Sequence, residues 1–135
     1  RGVIDVNGAD FLMPESMREA IVNAAKRDLG DAPATDEQVF ACGYRSIAES
    51  YAETARGIER LAGRKFSRIN IMGGGSQDRL LNRLTVEATG MDVFIGPIEA
   101  TAIGNILSQM IADGVFADIH AARKALASSF KVEKV

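Results

Sequence analysis

The stretch INIMGGGSQDRLLNRL, residues 69–84, joins a short apolar run to an amphipathic helical pattern through three consecutive glycines. Glycine tolerates positive φ and has no Cβ, so a strand–glycine–helix turn can bring backbone N–H groups close to a nucleotide. The same pattern is also typical of an ordinary strand-to-helix connection. The sequence therefore predicts an α/β unit here and leaves two roles open for its turn.

Two common nucleotide-binding motifs are absent from this turn. A dinucleotide fingerprint needs glycine at the first, third and sixth positions, but counting from Gly73 the sixth position is Asp78, and counting from Gly74 the third is Ser76. A phosphate-binding P-loop needs Gly-Lys-Ser or Gly-Lys-Thr, and the sequence contains neither. A degenerate dinucleotide-binding oxidoreductase is therefore a weakened alternative.

Asp78 has two interpretations. With Ser76 as the predicted N-cap, the Asp78 carboxylate would repel a phosphate but could accept a hydrogen bond from a ribose hydroxyl or an adenine amino group. It could instead improve the helix start through the helix dipole. Arg79 and Arg83, one turn apart, could attract a phosphate or simply face solvent. If the turn binds a nucleotide, we expect it to hold the adenosine end, with the phosphates held by other loops.

Apolar residues at helical spacing and end signals predict two helices before this turn. Pro14 suits the first turn of the first helix, which Gly30 ends. Thr35 and Gln38 can form a capping box for a long helix that continues almost to Gly63. Its predicted buried face comprises Phe40, Ile47, Ala48, Tyr51, Ala55, Ile58 and Leu61. Its charged face, expected to be solvated rather than catalytic, comprises Glu49, Glu53, Arg56, Glu59 and Arg60.

The chain after the glycine turn predicts one more strand and two more helices. The strand DVFIGP, residues 92–97, closes with a Gly-Pro pair that cannot continue a central ladder. Glu99 is expected in the first turn of the next helix, and Gly104 within that helix suggests a close approach to its backbone. Asp118 caps a last helix that runs to about Ala127, and the end KVEKV, residues 131–135, is expected to fray. The fold class is therefore helix-rich α/β, with about five helices and two or three short strands.

Composition limits the domain organisation, the partners and the kinds of site that the chain can have. The chain has 135 residues, 47% of them hydrophobic, and a formal net charge of −2, which favours one compact unit and argues against nucleic acid as a partner. No apolar stretch approaches the ~20 residues that span a bilayer, so we expect no membrane association and a cytoplasmic location. Cys42 and His120 are the only residues of their types. We expect Cys42 to be a small buried side chain rather than a reactive thiol, and His120 to lie at the surface or to be lightly packed. We expect no metal site and no catalytic residue in this chain.

Two motifs together carry a resemblance to a known family. The GGGSQD turn is followed, at a similar distance, by GPIEATAIGN at Gly96–Asn105. This combination resembles the FGGY carbohydrate kinases, most of all the branch that acts on L-rhamnulose, where asparagine usually stands in place of Asp78. The upstream FLMPESMREAI and the long helix are also similar to the family, so the resemblance covers nearly the whole chain.

The resemblance implies the fold and the site. It implies part of a ribonuclease-H-like domain of an actin-like ATPase, with residues 1–135 as the C-terminal portion of the second kinase domain. The abrupt start, without an initiator methionine, also suggests a chain that begins inside a larger fold. The implied nucleotide-binding residues are Gly73, Gly74, Gly75, Ser76, Gln77 and Asp78. Glu99, Ala100 and Gly104 match the second motif, for which we expect a structural role.

The resemblance also implies a reaction, namely phosphoryl transfer from ATP, with Mg²⁺, to the 1-hydroxyl of a ketose such as L-rhamnulose. The phosphate loops and the aspartate base that this reaction needs are absent from these residues. We therefore expect the chain alone to be inactive and to self-associate through the edges of its few strands. A non-catalytic adenine-nucleotide-binding or interaction module is the alternative.

Overall fold

The computed structural model describes residues 2–130 and 132–135, so Arg1 and Lys131 lie outside the description. Within the described residues there are five α-helices and three short strands, which confirms the predicted helix-rich α/β class. The helices are α1 (Met17–Leu29), α2 (Asp36–Ala62), α3 (Arg79–Thr89), α4 (Ala100–Ala112) and α5 (Ile119–Ser129). The strands are β1 (Arg68–Ile71), β2 (Asp92–Ile95) and β3 (Glu133–Lys134).

Contacts divide the described chain into two units. The first unit runs to Phe66 and includes Arg83–Gly90, and the second contains Ser67–Asn82 and the chain from Met91 onward. The long helical hairpin thus belongs to the first unit, whereas all three strands belong to the second.

The first unit is built on α1 packed against α2. Its core contains Ile4, Ala24 and Ala25, with Ile21 and Cys42 packed around them. The helices approach closely here, because a Cβ added at Gly43 of α2 would lie 3.2 Å from Ile21 Cδ1.

The ends of these helices follow local rules with one exception. Thr35 and Gln38 form the predicted capping box of α2, and the helices end at Gly30 and Gly63 as predicted. The prediction that Pro14 lies in the first turn of α1 is wrong. Ser16 is the N-cap, and its hydroxyl accepts a hydrogen bond from Glu19 N, so α1 begins only at Met17.

The predicted buried face of α2 is largely wrong. Leu61 is 92% exposed and Phe40 is 67% exposed, because the face turned toward the protein is the one with small side chains. Small residues allow the close approach of α1 seen at Gly43, whereas bulky side chains would keep the helices apart. The buried apolar or small residues of α2 are Val39, Gly43, Ser46, Ala48 and Ala52.

Glu59 was predicted to be solvated, and this is also wrong, because its side chain is buried. Its carboxylate accepts a hydrogen bond from Lys65 Nζ at 2.7 Å and another from Phe66 N at 2.9 Å. These bonds lower the pKa of Glu59, with the Lys65 bond as the larger cause and the Phe66 N–H next. The carboxylate therefore fastens the segment after α2 to the end of that helix.

Glu59 makes the stability of the protein sensitive to acid. Because its pKa is lower in the folded than in the unfolded chain, its contribution is fully present above the ordinary glutamate value of about 4.3. That contribution is lost as the pH falls through the folded pKa. We expect the free energy of unfolding in urea to drop further between about pH 7 and about pH 3 in the wild-type protein than in Glu59→Gln. The control Glu53→Gln changes an exposed glutamate of the same helix and should behave as wild type; an equal drop in Glu59→Gln would contradict this role.

The second unit is built on a three-stranded sheet in the order β1-β2-β3. β1 and β2 are parallel, with Ile69 opposite Val93, and Val93 is fully buried. β3 is antiparallel to β2, with Ile95 opposite Glu133. The expected fraying is therefore wrong for residues 133–134, because the free edge of β2 pairs with them. Helices α4 and α5 pack against each other in the same unit.

In the part of the chain that the structure describes, no helix combines the length and the apolar character needed to span a membrane.

Candidate functional site

The glycine turn lies at the carboxyl edge of the two parallel strands. It follows β1, while the Gly96-Pro97 pair follows β2. The two connections are joined directly, since Gly73 N donates to Pro97 O at 3.1 Å and Gly96 N donates to Ile71 O at 2.8 Å. In open α/β sheets, ligands bind outside the carboxyl ends of the strands. The turn therefore has the position of a ligand-binding loop.

Gly73 gives the turn its shape. Its backbone has φ +83° and ψ −168°, a region that is essentially restricted to glycine. The chain then enters a 3₁₀ helix over Gly74–Gln77 before α3 begins. Glycine is therefore required at Gly73 by the backbone alone, whether or not a ligand binds.

Ser76 is a buried support of the turn rather than the N-cap of α3, so the N-cap prediction is wrong. Its side chain is buried, its Oγ donates to Gly73 O at 2.7 Å, and its N–H donates to the same oxygen at 3.0 Å. Ser76 lies within the 3₁₀ helix, and Gln77 and Asp78 stand between it and the start of α3. Ser76 thus fixes the turn from inside and is not exposed to a ligand.

Asp78 takes the capping role. Its Oδ1 accepts a hydrogen bond from Leu81 N at 3.0 Å, and its carbonyl oxygen accepts one from Asn82 N at 3.0 Å. An N-cap carboxylate of this kind contributes about 1 kcal/mol to a helix. This geometry agrees with the interpretation that Asp78 improves the helix start. A hydrogen bond from Asp78 to a ribose or an adenine stays a prediction.

Gly74 and Gly75 present bare backbone to solvent. Both residues are exposed, and nothing lies within 4 Å of the position that a Cβ would occupy on either. Gln77 is exposed beside them. The turn thus offers a surface without side chains, held from below by Ser76, against which a flat ring can lie closely.

A cavity of about 530 Å³ lies within the second unit. Asn70, Met72 and Pro97 line it from the strand ends, and Ile103 and Leu107 line it from α4. This volume is in the range of about 300–1,000 Å³ that is typical of small-molecule sites, which are mostly apolar. None of the six turn residues Gly73–Asp78 lines this cavity. The turn reaches its wall only through Met72, which precedes Gly73 in the chain, and through Pro97, whose carbonyl oxygen accepts from Gly73 N.

The residues of the second sequence motif frame this cavity. Glu99 is the residue immediately before α4 rather than a member of its first turn, and its side chain makes no capping hydrogen bond. The predicted close approach to Gly104 is wrong for the described chain, because nothing lies within 4 Å of where its Cβ would be. Gly104 instead lines the cavity wall. Its missing side chain therefore leaves room in the cavity rather than for a neighbouring element.

Sequence reasoning missed the polar residues buried in α3. Asn82 is 1% exposed, and Thr85 is fully buried, although both would normally face water. Asn82 Nδ2 donates to Ser76 O at 2.8 Å. The only signal in the sequence was the position of Asn82 one helical turn after Asp78.

Arg79 and Arg83 are exposed, which agrees with the prediction that they face solvent.

The resemblance implies two cofactors, ATP and Mg²⁺, and the turn can be compared with the needs of each. The bare backbone of Gly74 and Gly75 has open space above it, which a flat ring such as adenine needs for close approach. Mg²⁺ prefers carboxylate and other oxygen ligands, and no group of three or more His, Cys, Asp or Glu side chains comes together among residues 2–130 and 132–135. We therefore assign the metal to no residue of this chain.

Cys42 and His120 lie away from the turn in sequence and do not contribute to it. Cys42 is half-buried and packs against the first unit's core. Burial raises the pKa of its thiol, so the reactive thiolate is disfavoured. His120 is exposed at the start of α5.

Comparison with known proteins gives consistent matches over this chain. The model of the FGGY family of carbohydrate kinases, C-terminal domain, matches residues 10–112. A protein named rhamnulokinase from Halalkalibacterium halodurans is 40% identical over 134 residues, which are 99% of this chain and 29% of that protein. Proteins of the same name from Yersinia pestis (strain Pestoides F) and Bacillus subtilis are 37% and 35% identical over 130 residues, covering 96% of this chain and 27% of each relative. The chain thus spans little more than a quarter of the length of these relatives.

Proposed function

The chain belongs to the FGGY family of carbohydrate kinases, and from that premise we propose that it supplies the adenosine-binding part of an ATP-dependent sugar kinase. Its helix-rich α/β arrangement agrees with the ribonuclease-H-like fold of this family's C-terminal domain. In this proposal, residues 1–135 are the C-terminal portion of the second kinase domain. In this proposal the protein is located in the cytoplasm, where ATP is supplied.

One observation supports the proposal that the glycine turn is the adenosine site. Gly74 and Gly75 expose bare backbone at the carboxyl edge of two parallel strands, where no side chain of their own would block a flat ring. The proposed nucleotide-binding residues remain Gly73, Gly74, Gly75, Ser76, Gln77 and Asp78. Gly74 and Gly75 receive the adenine or ribose, whereas Gly73, Ser76 and Asp78 shape and support the turn. Gln77 lies exposed at the rim.

The substrate in this proposal is L-rhamnulose, phosphorylated at its 1-hydroxyl, since the relatives carry the name rhamnulokinase. ATP supplies the phosphoryl group, and Mg²⁺ offsets the phosphate charge. The residues of this chain bind and orient the adenosine, while the catalytic base lies outside the chain. The chain alone is therefore inactive, and formation of phosphorylated L-rhamnulose from ATP by the purified chain would contradict that.

Nucleotide titration tests the proposal. The chain should bind ADP at least as tightly as NAD, because the turn lacks the third glycine of a dinucleotide site and has Asp78 in its place. Isothermal titration calorimetry with each ligand measures both dissociation constants under one set of conditions. Tighter binding of NAD would contradict the proposed adenosine site at this turn and would favour a dinucleotide site.

The second candidate is a non-catalytic adenine-nucleotide-binding or interaction module. The bulky apolar side chains that α2 exposes, Phe40, Ile58 and Leu61 among them, favour a surface that contacts another molecule. We propose that the isolated chain self-associates, with the outer edge of β1 as a further contact. Sedimentation should then depend on concentration, and a single monomeric species at high concentration would count against it.

A further inference from the structure

Asn82 connects α3 to the glycine turn from inside the protein. It is 1% exposed, and its Nδ2 donates to Ser76 O at 2.8 Å. Ser76 is itself buried and holds Gly73 O through both its N–H and its hydroxyl. Gly73 N in turn donates to Pro97 O. One hydrogen-bonded chain therefore runs from α3 through the turn to the connection after β2.

This chain of bonds fixes the two residues that are proposed to meet the nucleotide. Gly74 and Gly75 lie between Gly73 and Ser76 and have no side chains of their own to hold them. Gly75 O accepts from Asp78 N at 3.3 Å, and the position of the two glycines otherwise depends on the bonds at Gly73 and Ser76. Without the Asn82 amide, the Ser76 carbonyl would lose its side-chain donor, and the helical side of the turn would be less firmly held.

The side chain of Asn82 has one atom that destabilises the fold. Its Oδ1 is buried and has no hydrogen-bond partner within residues 2–130 and 132–135. A buried acceptor without a donor destabilises the folded state, whereas an apolar side chain of the same shape avoids that penalty. Leucine has the same branched shape and would fit a buried helix position well. Stability alone therefore does not explain asparagine at this position.

We propose that Asn82 is a positioning residue for nucleotide binding, which holds the Gly74–Gly75 backbone in place through the Ser76 carbonyl. This inference rests on the proposed adenosine site and names the buried residue that keeps that site in shape. Asn82 makes no contact with the nucleotide itself, because it is buried beneath the turn.

The test separates positioning from stability with two isosteric variants. Asn82→Leu removes the bond to Ser76 O, which lowers the stability of the folded state. It also removes the unpartnered Oδ1, which raises that stability, so the two changes oppose each other. Its thermal midpoint should stay within about 4 °C of the wild-type value. Its dissociation constant for ADP should nevertheless rise about tenfold, as the loss of one ordering hydrogen bond would give.

The control variant is Thr85→Val, which also replaces a buried polar side chain of α3 by an apolar one of the same shape. Thr85 is one turn further from the glycine turn, so Thr85→Val should keep its ADP affinity within about twofold of wild type. Calorimetric ADP titration and thermal unfolding are measured on all three proteins. An unchanged ADP affinity in Asn82→Leu, or an equal loss in Thr85→Val, would overturn the inference.

A third readout keeps the inference testable if the wild-type protein does not bind ADP, an outcome that would refute the proposed function itself. Amide hydrogen exchange at Gly74 and Gly75 should be faster in Asn82→Leu than in Thr85→Val, because the turn opens locally. Equal exchange in the two variants would overturn the positioning role. If Asn82→Leu does not fold, Asn82→Ala, which also frees the Ser76 carbonyl, is judged by the same affinity and exchange criteria.

Discussion

Replacing Gly73 with alanine is expected to lower the free energy of unfolding by about 1–3 kcal/mol, the cost of holding a residue with a Cβ in a glycine-only region. Gly73 has φ +83° and ψ −168°. The space around it is not the difficulty, because the nearest atom to an added Cβ, Ile98 O, is 3.9 Å away. Urea unfolding of the wild-type and variant proteins measures the difference.

Gly74→Ala is the matched control for this prediction. It adds the same methyl group to the neighbouring residue, where no positive φ is required and nothing lies within 4 Å. We expect its free energy of unfolding to change by less than about 0.5 kcal/mol, as for an ordinary surface substitution. Equal losses in the two variants would show that the turn does not depend on the backbone of Gly73.

Gly75→Leu is expected to raise the dissociation constant for ADP by about tenfold or more, equivalent to at least ~1.4 kcal/mol of binding free energy. A leucine side chain has open space at this position in the free protein, so the fold should not change. It would, however, occupy the surface on which the adenosine is proposed to lie. Calorimetric titration with ADP measures the loss of affinity.

The control for this variant is Gly57→Leu in α2. It introduces the same side chain at a glycine of the first unit, where the nearest atom to an added Cβ is Arg60 Nη2 at 3.9 Å. Its ADP affinity should equal that of the wild-type protein. If Gly75→Leu also binds ADP as tightly as the wild type, the nucleotide does not lie on this face of the turn.

The local rules of the sequence predicted much of the fold. Thr35 and Gln38 form their capping box, Asp118 caps α5, and its side chain accepts from Ala121 N as an N-cap should. These features depend on residues a few positions apart, so a short stretch of sequence contains all the relevant information. The parallel pairing of β1 and β2 around a helix agrees with the strand–helix–strand pattern.

Features that depend on distant partners could not be predicted in this way. Glu59 accepts hydrogen bonds from Lys65 and Phe66, which lie beyond the end of its helix, and residues 133–134 form a strand by pairing with β2. The bulky side of α2 was predicted to be buried, yet α1 packs on the small residues, a choice that depends on the fit between two helices.

In the candidate site, too, local features were predicted and features that depend on tertiary contacts were not. The three glycines located the turn, and the bare backbone of Gly74 and Gly75 is as expected. Asp78, and not the predicted Ser76, caps α3, because Ser76 belongs to a 3₁₀ helix that has no clear sequence signal. Asn82 was missed because asparagine usually lies at the surface, and only tertiary structure reveals its bond to Ser76.

The most direct test of the central claim is to map the backbone amide signals of the ¹⁵N-labelled chain by NMR as ADP is added. We expect saturable changes concentrated at Gly73–Asp78, with smaller changes at residues that line the cavity of the second unit, such as Ile103 and Leu107. Changes confined to other parts of the chain, or no change at ADP concentrations that saturate binding, would contradict a nucleotide site at the glycine turn.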